Sequence, residues 1–397
     1  MKKWLLLFLI VAQSCIVAET AQFSPDDRAQ LPNVLNNSYI GFNAGYTDIP
    51  YNNANLINGF QANHFDNPNF GLNIYLGHYF NPYLGMEIGL MRPVNWAYAY
   101  GVQTPSDKHS IWVSLFDVAL RPTLPITSRL SLFALTGPGI VSRHGFSIGD
   151  TTAIPSKTFF TFFAGGGLCY ALSEHWFWNT GVNYSVARND QHQPGILFAY
   201  TGFSYLLKKL NLPKFYDTHY IFPANEVTLG LFSTSVFNPN INKYFTVGYL
   251  PIFWTGDVDT RNGGWLMYTR NVFHTHKMFS LDLGTSISTY HSSVNNTPFQ
   301  AFSVFPEMKL WLIRSLSCDF YFLYSIAGPT YLTRSVIDGI DVGGRFTFQD
   351  LLGFGLFLGK AKHFNLGITI GHYSNGNLLP NNPGIQVPMV VSVGYAF

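Results

Sequence analysis

The residues best suited to chemistry lie near the end of the chain, in Gly371-His372-Tyr373-Ser374-Asn375-Gly376. A hydroxyl and an imidazole can form a nucleophile and its base, provided both leave the backbone on the same side. Residues two apart share one face of a β-strand. A strand therefore satisfies the requirement, and the residues before the pair read as one. Phe364, Leu366, Ile368 and Ile370 have the parity of His372 and Ser374, while Asn365, Gly367, Thr369 and Gly371 form the other face. The pair thus continues the apolar face. A polar pair on a face that meets lipid is costly unless it lies near the interface or has a function.

The rest of the chain supplies the wall such a strand belongs to. Charged residues are 11% of the sequence, against about 25% in an ordinary soluble domain. Aromatics are 17%, and the only long apolar stretch is at the N-terminus. Low charge with apolar residues at alternate positions suits a transmembrane β-barrel, whose outer face meets lipid and whose interior takes small and polar residues. Leu84, Met86, Ile88 and Leu90 alternate with Tyr83, Gly85, Glu87 and Gly89; Trp112, Phe116, Val118 and Leu120 alternate with Asp117, Ala119 and Arg121. Eight such segments are expected near 38–47, 69–79, 83–98, 110–122, 129–142, 158–172, 175–188 and 195–207. Nine more run near 226–237, 244–256, 264–274, 278–290, 299–313, 316–331, 346–359, 363–374 and 387–397. An antiparallel barrel with both ends on one side needs an even number, so one of the first three of these does not span.

The expected fold is all-β, with two tandem eight-stranded antiparallel transmembrane barrels; the alternative is one barrel of 16 or more strands. Glu307 and Lys309, two apart on one face, suit a narrow plugged lumen and favour two barrels. Residues 1–18 read as a secretory signal, with Lys2 and Lys3 before the apolar run Trp4 to Ala12 and with Ala18 as the last residue before cleavage. Residues 23–209 form the first expected barrel, 210–223 a linker with three Lys and a Pro between 208 and 214, and 224–397 the second barrel. Cys15 after Ala12-Gln13-Ser14 is a poor match to a lipoprotein anchor, and Cys169 and Cys318, one in each half, read as packed thiols. The final strand alternates Val387, Met389, Val391, Val393, Tyr395 and Phe397, an aromatic end similar to the signal that barrel-assembly machinery reads. A net charge of +2 gives no reason to invoke nucleic acid. His274, His276 and His291 read as loop or interface residues, and neither metal nor other cofactor is expected.

Depth points to the substrate. With both termini in the periplasm, the strand carrying the pair runs outward from Phe364. Ten residues to Ser374, at about 3.3 Å each and a tilt of about 40°, rise roughly 25 Å, the height of the apolar band. Ser374 then lies at the outer-leaflet interface, where the ester bonds of outer-leaflet lipids lie, and 375–386 form an external loop.

The same residues resemble the PagL family of outer-membrane lipid A 3-O-deacylases. His372, Ser374 and Asn375 match its His-x-Ser-Asn motif; Asn382 and Gly384 match the loop that follows; Phe346-Thr347-Phe348-Gln349-Asp350 is similar to its aromatic and acidic stretch one strand earlier. The resemblance implies Ser374 as nucleophile, His372 as general base, and Asn375 and Asn382 as oxyanion donors, with lipid A (lipopolysaccharide) and other outer-membrane lipids as partners. The family's third member is a carboxylate, and Gln386 stands in its place. Gln386 has the wrong parity unless Pro388 interrupts the strand. A short turn at 360–362 would instead set Asp350 opposite His372, where Cβ atoms are about 4.5–5.5 Å apart. Orientation of His372 falls to Gln386 or Asp350. The first half, with its Ala164-Gly165-Gly166-Gly167-Leu168 strand, is similar to OmpA-like small barrels. Two other functions remain open: an outer-membrane phospholipase A, which shares His-x-Ser-Asn-Gly and a neutral third member, and a non-catalytic structural or porin-like barrel.

Overall fold

A strand in lipid must have every backbone polar group paired within the protein, which only a closed sheet achieves. The computed structural model of the protein describes residues 28–209, 220–235, 256–379 and 381–397. In it the chain closes two such sheets. The first is built from β1 (Ser38–Asp48), β2 (Phe70–Asn81), β3 (Leu84–Pro93), β4 (Lys108–Pro125), β5 (Leu130–His144), β6 (Lys157–Ala171), β7 (Trp176–Ser185) and β8 (Ile196–Leu206). Each pairs antiparallel with the next, and β8 returns to β1. Two short strands, His64–Asp66 and Ala97–Tyr100, extend the sheet beyond β4. The second barrel runs β9 (Asn225–Ser233), β10 (Val258–His274), β11 (Phe279–Ser292), β12 (Pro298–Arg314), β13 (Cys318–Leu332), β14 (Phe346–Leu358), β15 (Phe364–Ser374) and β16 (Ile385–Ala396). It closes by pairing β9 with β16. Two separate rings exclude the single large barrel.

The strand expected at 244–256 falls, but for its last residue, outside the described residues, as do 1–18 and 210–219 of the expected signal and linker. Short β9 is bridged at its far end: Val258 and Asp259 of β10 pair in parallel with Ile385 and Gln386 of β16. Tyr220 to Pro223, just before β9, pack against the barrel end, with Phe222 stacked on His274 at 4.2 Å and edge-on to Trp311.

Connections differ in length between the two ends. In the second barrel, turns 275–278, 315–317 and 359–363 lie at the end where β9 starts and β16 stops, while the short turn 293–297 and the longer connections 333–345 and 375–384 lie at the other. Short turns mark the periplasmic side of outer-membrane barrels and long loops the outside.

The alternation seen in sequence is realised in burial. Leu366, Ile368, Val391, Val393 and Phe354 are exposed on the outer wall, whereas Asn365, Thr369, Ser392 and Phe357 turn inward and are buried. Polar groups inside are matched. Lys309 Nζ lies 2.8 Å from Asp282 and 3.1 Å from both Glu226 and Glu307. Asn365 donates to Glu226 and to the Tyr321 hydroxyl. In the first barrel Arg121 holds Glu87 at 2.6 Å, and Tyr39 donates to the same carboxylate. Both lumens are filled by side chains.

Breaking a buried ion network by removing one partner costs about 3–5 kcal/mol. Lys309→Met would leave three carboxylates facing one another. Urea unfolding in lipid vesicles is expected to show a loss of that size; wild-type stability would contradict the network's role.

Candidate active site

β15 carries the pair, and its position is fixed by its neighbour in the sequence. Tyr373 points inward, where its hydroxyl lies 2.9 Å from that of Tyr290 and accepts from Gln349 Nε2 at 3.0 Å. A strand places successive side chains on opposite faces, so His372 and Ser374 leave the barrel on its outer side. The turn between β14 and β15 pairs Leu358 with Phe364, and the register continues unbroken to Asp350 opposite His372 and Phe348 opposite Ser374. On the other flank a bulge lies between the pairs Thr369–Val390 and Gly371–Val387, beside Pro388. β16 gains one residue there, which reverses its facing. Gln386 consequently faces outward, opposite His372.

Three of the singled-out side chains therefore lie abreast on the outer wall, Asp350, His372 and Gln386, with Ser374 one step further out. His372 Nδ1 lies 3.5 Å from Asp350 Oδ2. The other oxygen of Asp350 accepts the backbone N–H of Ala327 at 2.7 Å. That N–H is free of the ladder because β13 bulges between Ser325 and Gly328, with Ala327 at φ 52°. Gln386 directs its amide nitrogen away, to Gly256 O at 2.9 Å. Its own backbone carbonyl accepts from Thr260. Gln386 thus ties β16 to the start of β10.

One expectation needs correction. The imidazole does not lie open to lipid: His372 is only 3% exposed, enclosed between its cross-strand neighbours. Ser374 is half-buried at the edge of this enclosure. The outward face presents the hydroxyl, with the base behind it.

Asn375 and Asn382 sit where the loop leaves β15, and their hydrogen bonds knit it together. Asn382 Oδ1 accepts the Asn375 N–H at 2.8 Å, Asn375 Nδ2 donates to Asn381 O at 2.6 Å, and Asn382 Nδ2 donates to Asn377 Oδ1. Gly376 and Asn377 both have positive φ, and Leu378 N–H closes the turn on Asn375 O. Gly343 of the preceding loop approaches so closely that a Cβ there would stand 2.0 Å from Asn381 O. Sequence reasoning missed the Ala327 N–H, the Gly256 anchor, and Asn377 and Asn381. Only the run of Asn residues in 375–382 hinted at any of them.

This arrangement defines a class: a pair of eight-stranded β-barrels whose second member presents a serine, a histidine and a carboxylate on its outer wall. Comparison with known proteins sharpens it. Residues 262–396 match the family described as Lipid A 3-O-deacylase (PagL), and residues 22–203 match the outer membrane protein beta-barrel domain. Each match covers less than half of the chain: the second barrel is PagL-like, and the first is similar to the outer membrane protein beta-barrel domain. No curated protein matches the chain. Among solved structures, the outer membrane enzyme PagL aligns at 13% identity and TM-score 0.30, over 43% of this chain and 99% of its own. Neisserial surface protein A aligns at 10% and 0.32, over 43% and 97%. The attachment invasion locus protein Ail of Yersinia pestis aligns at 16% and 0.30, again over 43% and 97%.

Asn382→Ala removes both the acceptor for the Asn375 N–H and the donor to Asn377 Oδ1, bonds worth about 1 kcal/mol each. Hydrogen exchange over 375–379 is expected to quicken by at least about fivefold, with β14 and β15 unchanged. Unaltered exchange in the loop would refute the bracing role.

Proposed function

We propose that the second barrel hydrolyses the 3-position acyl ester of lipid A in the outer leaflet. The observation that carries this reading is the outward hydroxyl–imidazole–carboxylate series at the long-loop end of a barrel matching the PagL family. The position at the sugar–hydrocarbon boundary supports an ester of an outer-leaflet lipid. The 3-position rests on the family likeness.

In this reading Asp350 holds His372 through Nδ1, which leaves Nε2 for Ser374. Ser374 Oγ adds to the acyl carbonyl carbon as its proton passes to His372. The tetrahedral intermediate collapses, the sugar oxygen leaves, and His372 returns the proton to it. Water, deprotonated by His372, then adds to the serine ester; the fatty acid leaves and His372 returns the proton to Ser374 Oγ. Phe348, opposite Ser374, offers an apolar surface to the acyl chain. Asn375 and Asn382 are the oxyanion donors of this reading: each side-chain amide has a second N–H beyond the one given to Asn381 O or Asn377 Oδ1. Gln386, anchored on Gly256, positions the wall, and Asp350 is the orienting carboxylate. The signal at residues 1–18, barrel-assembly machinery as the inserting partner, and lipopolysaccharide as the substrate source belong to the same proposal.

Mass spectrometry of lipid A from cells producing the protein tests it. One hydroxyacyl chain should be lost with the wild type and retained with Ser374→Ala. Asp350→Asn should lower kcat by about 10⁴, as loss of the orienting carboxylate does in a serine triad, whereas Gln386→Ala should stay within about tenfold. Calcium-dependent release of fatty acid from phospholipid would favour a phospholipase instead. No change in either lipid would leave a non-catalytic barrel.

A further inference from the structure

The first barrel bears an outward face that its closure does not explain. Trp112 lies on β4 with the parity of Phe116, Val118 and the lipid-exposed Leu120, and Ser110 and Lys108 continue that face outward. Tyr98 and Tyr100 stand opposite Ser110 and Lys108 in the register. Trp96 and Trp112 stack with centroids 4.6 Å apart and planes within 6°. Arg92 lies over Trp96, its Cζ 4.6 Å from the ring centroid. Lys108 Nζ lies 3.8 Å from the centre of Tyr98 and 5.4 Å from that of Tyr100. His64 stacks on the other side of this edge, against Tyr100 at 4.7 Å.

Height places this face. From Leu124 to Trp112 is 12 residues and to Lys108 is 16. At about 3.3 Å per residue and a tilt of about 40° these rise roughly 30 and 40 Å, against an apolar band of about 25 Å. The tryptophan pair lies at the hydrocarbon edge and Lys108 about 10 Å above it, among sugars and phosphates. An aromatic girdle accounts for interfacial tryptophans. It does not account for two cations each seated on a ring. A cation over a ring face keeps N–H groups free for an anion while losing its freedom to wander. Asp66, opposite Tyr98, attracts Lys108, whereas Asp107 is turned into its own loop, where it accepts the N–H groups of Val102, Gln103 and Thr104; Arg92 and Lys108 are the cations seated on the rings of this face.

We propose that this face binds the phosphorylated sugar headgroup of an outer-leaflet glycolipid. The flat rings lie against the sugar, and Arg92 and Lys108 take its phosphates. The site is separate from Ser374 and does not depend on the hydrolytic reading.

The test uses the full chain with Ser374→Ala, so that the lipid stays intact. Cys169 and Cys318 are replaced by Ala, and a fluorophore on Ser106→Cys, exposed in the loop beside this face, reports arrival there. The chain sits in phosphatidylcholine vesicles titrated with bis-phosphorylated lipid A. The fluorophore should respond saturably. Arg92→Gln with Lys108→Gln should weaken the response about thirtyfold, at about one basic residue's worth of membrane attraction each. Arg92→Lys with Lys108→Arg should retain it, which controls for folding. Lipid A stripped of phosphate should bind the unaltered face as weakly as the neutralised one binds the intact lipid. Equal response of the neutralised and unaltered faces overturns the proposal, as does equal binding of the stripped lipid. Displacement by inorganic phosphate would assign the site to a free anion and overturn it too.

Discussion

The inward anchoring of Tyr373 is the constraint on which the candidate site depends. Its phenol is held in the lumen by Tyr290 and Gln349, and it is 1% exposed. A strand cannot put adjacent residues on one face. Fixing Tyr373 inside fixes His372 and Ser374 outside. The lumen below is as firmly set, since the carboxylates of Glu226, Asp282 and Glu307 gather around the single ammonium of Lys309. A filled interior makes the wall rigid, and rigid elements hold a site more accurately than loops do.

Two irregularities complete what regular pairing cannot. Without the bulge beside Pro388, Gln386 would face the lumen. Without the bulge at Ala327, Asp350 would lack the N–H that holds its second oxygen. Bulges near sites commonly re-aim one side chain while the rest of the sheet continues. Here the bulge on β13 holds Asp350 of β14 and the bulge on β16 re-aims Gln386, so that both bear on the strands flanking the candidate base. The outcome is an imidazole enclosed by protein with a hydroxyl at the opening, instead of two polar groups standing in lipid.

Much of this was legible in the sequence because its information is local. Period-2 alternation located the strands, and the short turn at 360–362 set Asp350 against His372 by counting alone. Pro388 signalled the interruption that rescues the parity of Gln386. The burial of His372 was not legible, since it depends on three strands brought together from 350, 372 and 386. Nor was the bracing of 375–382, because an asparagine's partners depend on loop conformation. The parallel contact of Val258 with Ile385 was hidden for a different reason. It arises only when a short strand lets its two neighbours meet above it, which no single segment reveals.

The facing of β15 is the claim that most needs direct measurement. A nitroxide placed singly at 373 and at 374, in a chain lacking Cys169 and Cys318, can be relaxed by oxygen dissolved in the bilayer or by a water-soluble nickel chelate. The structure requires the label at 374 to be relaxed by oxygen and the label at 373 to be shielded from it. Oxygen access at 373 with shielding at 374 would turn the nucleophile into the lumen and contradict the account.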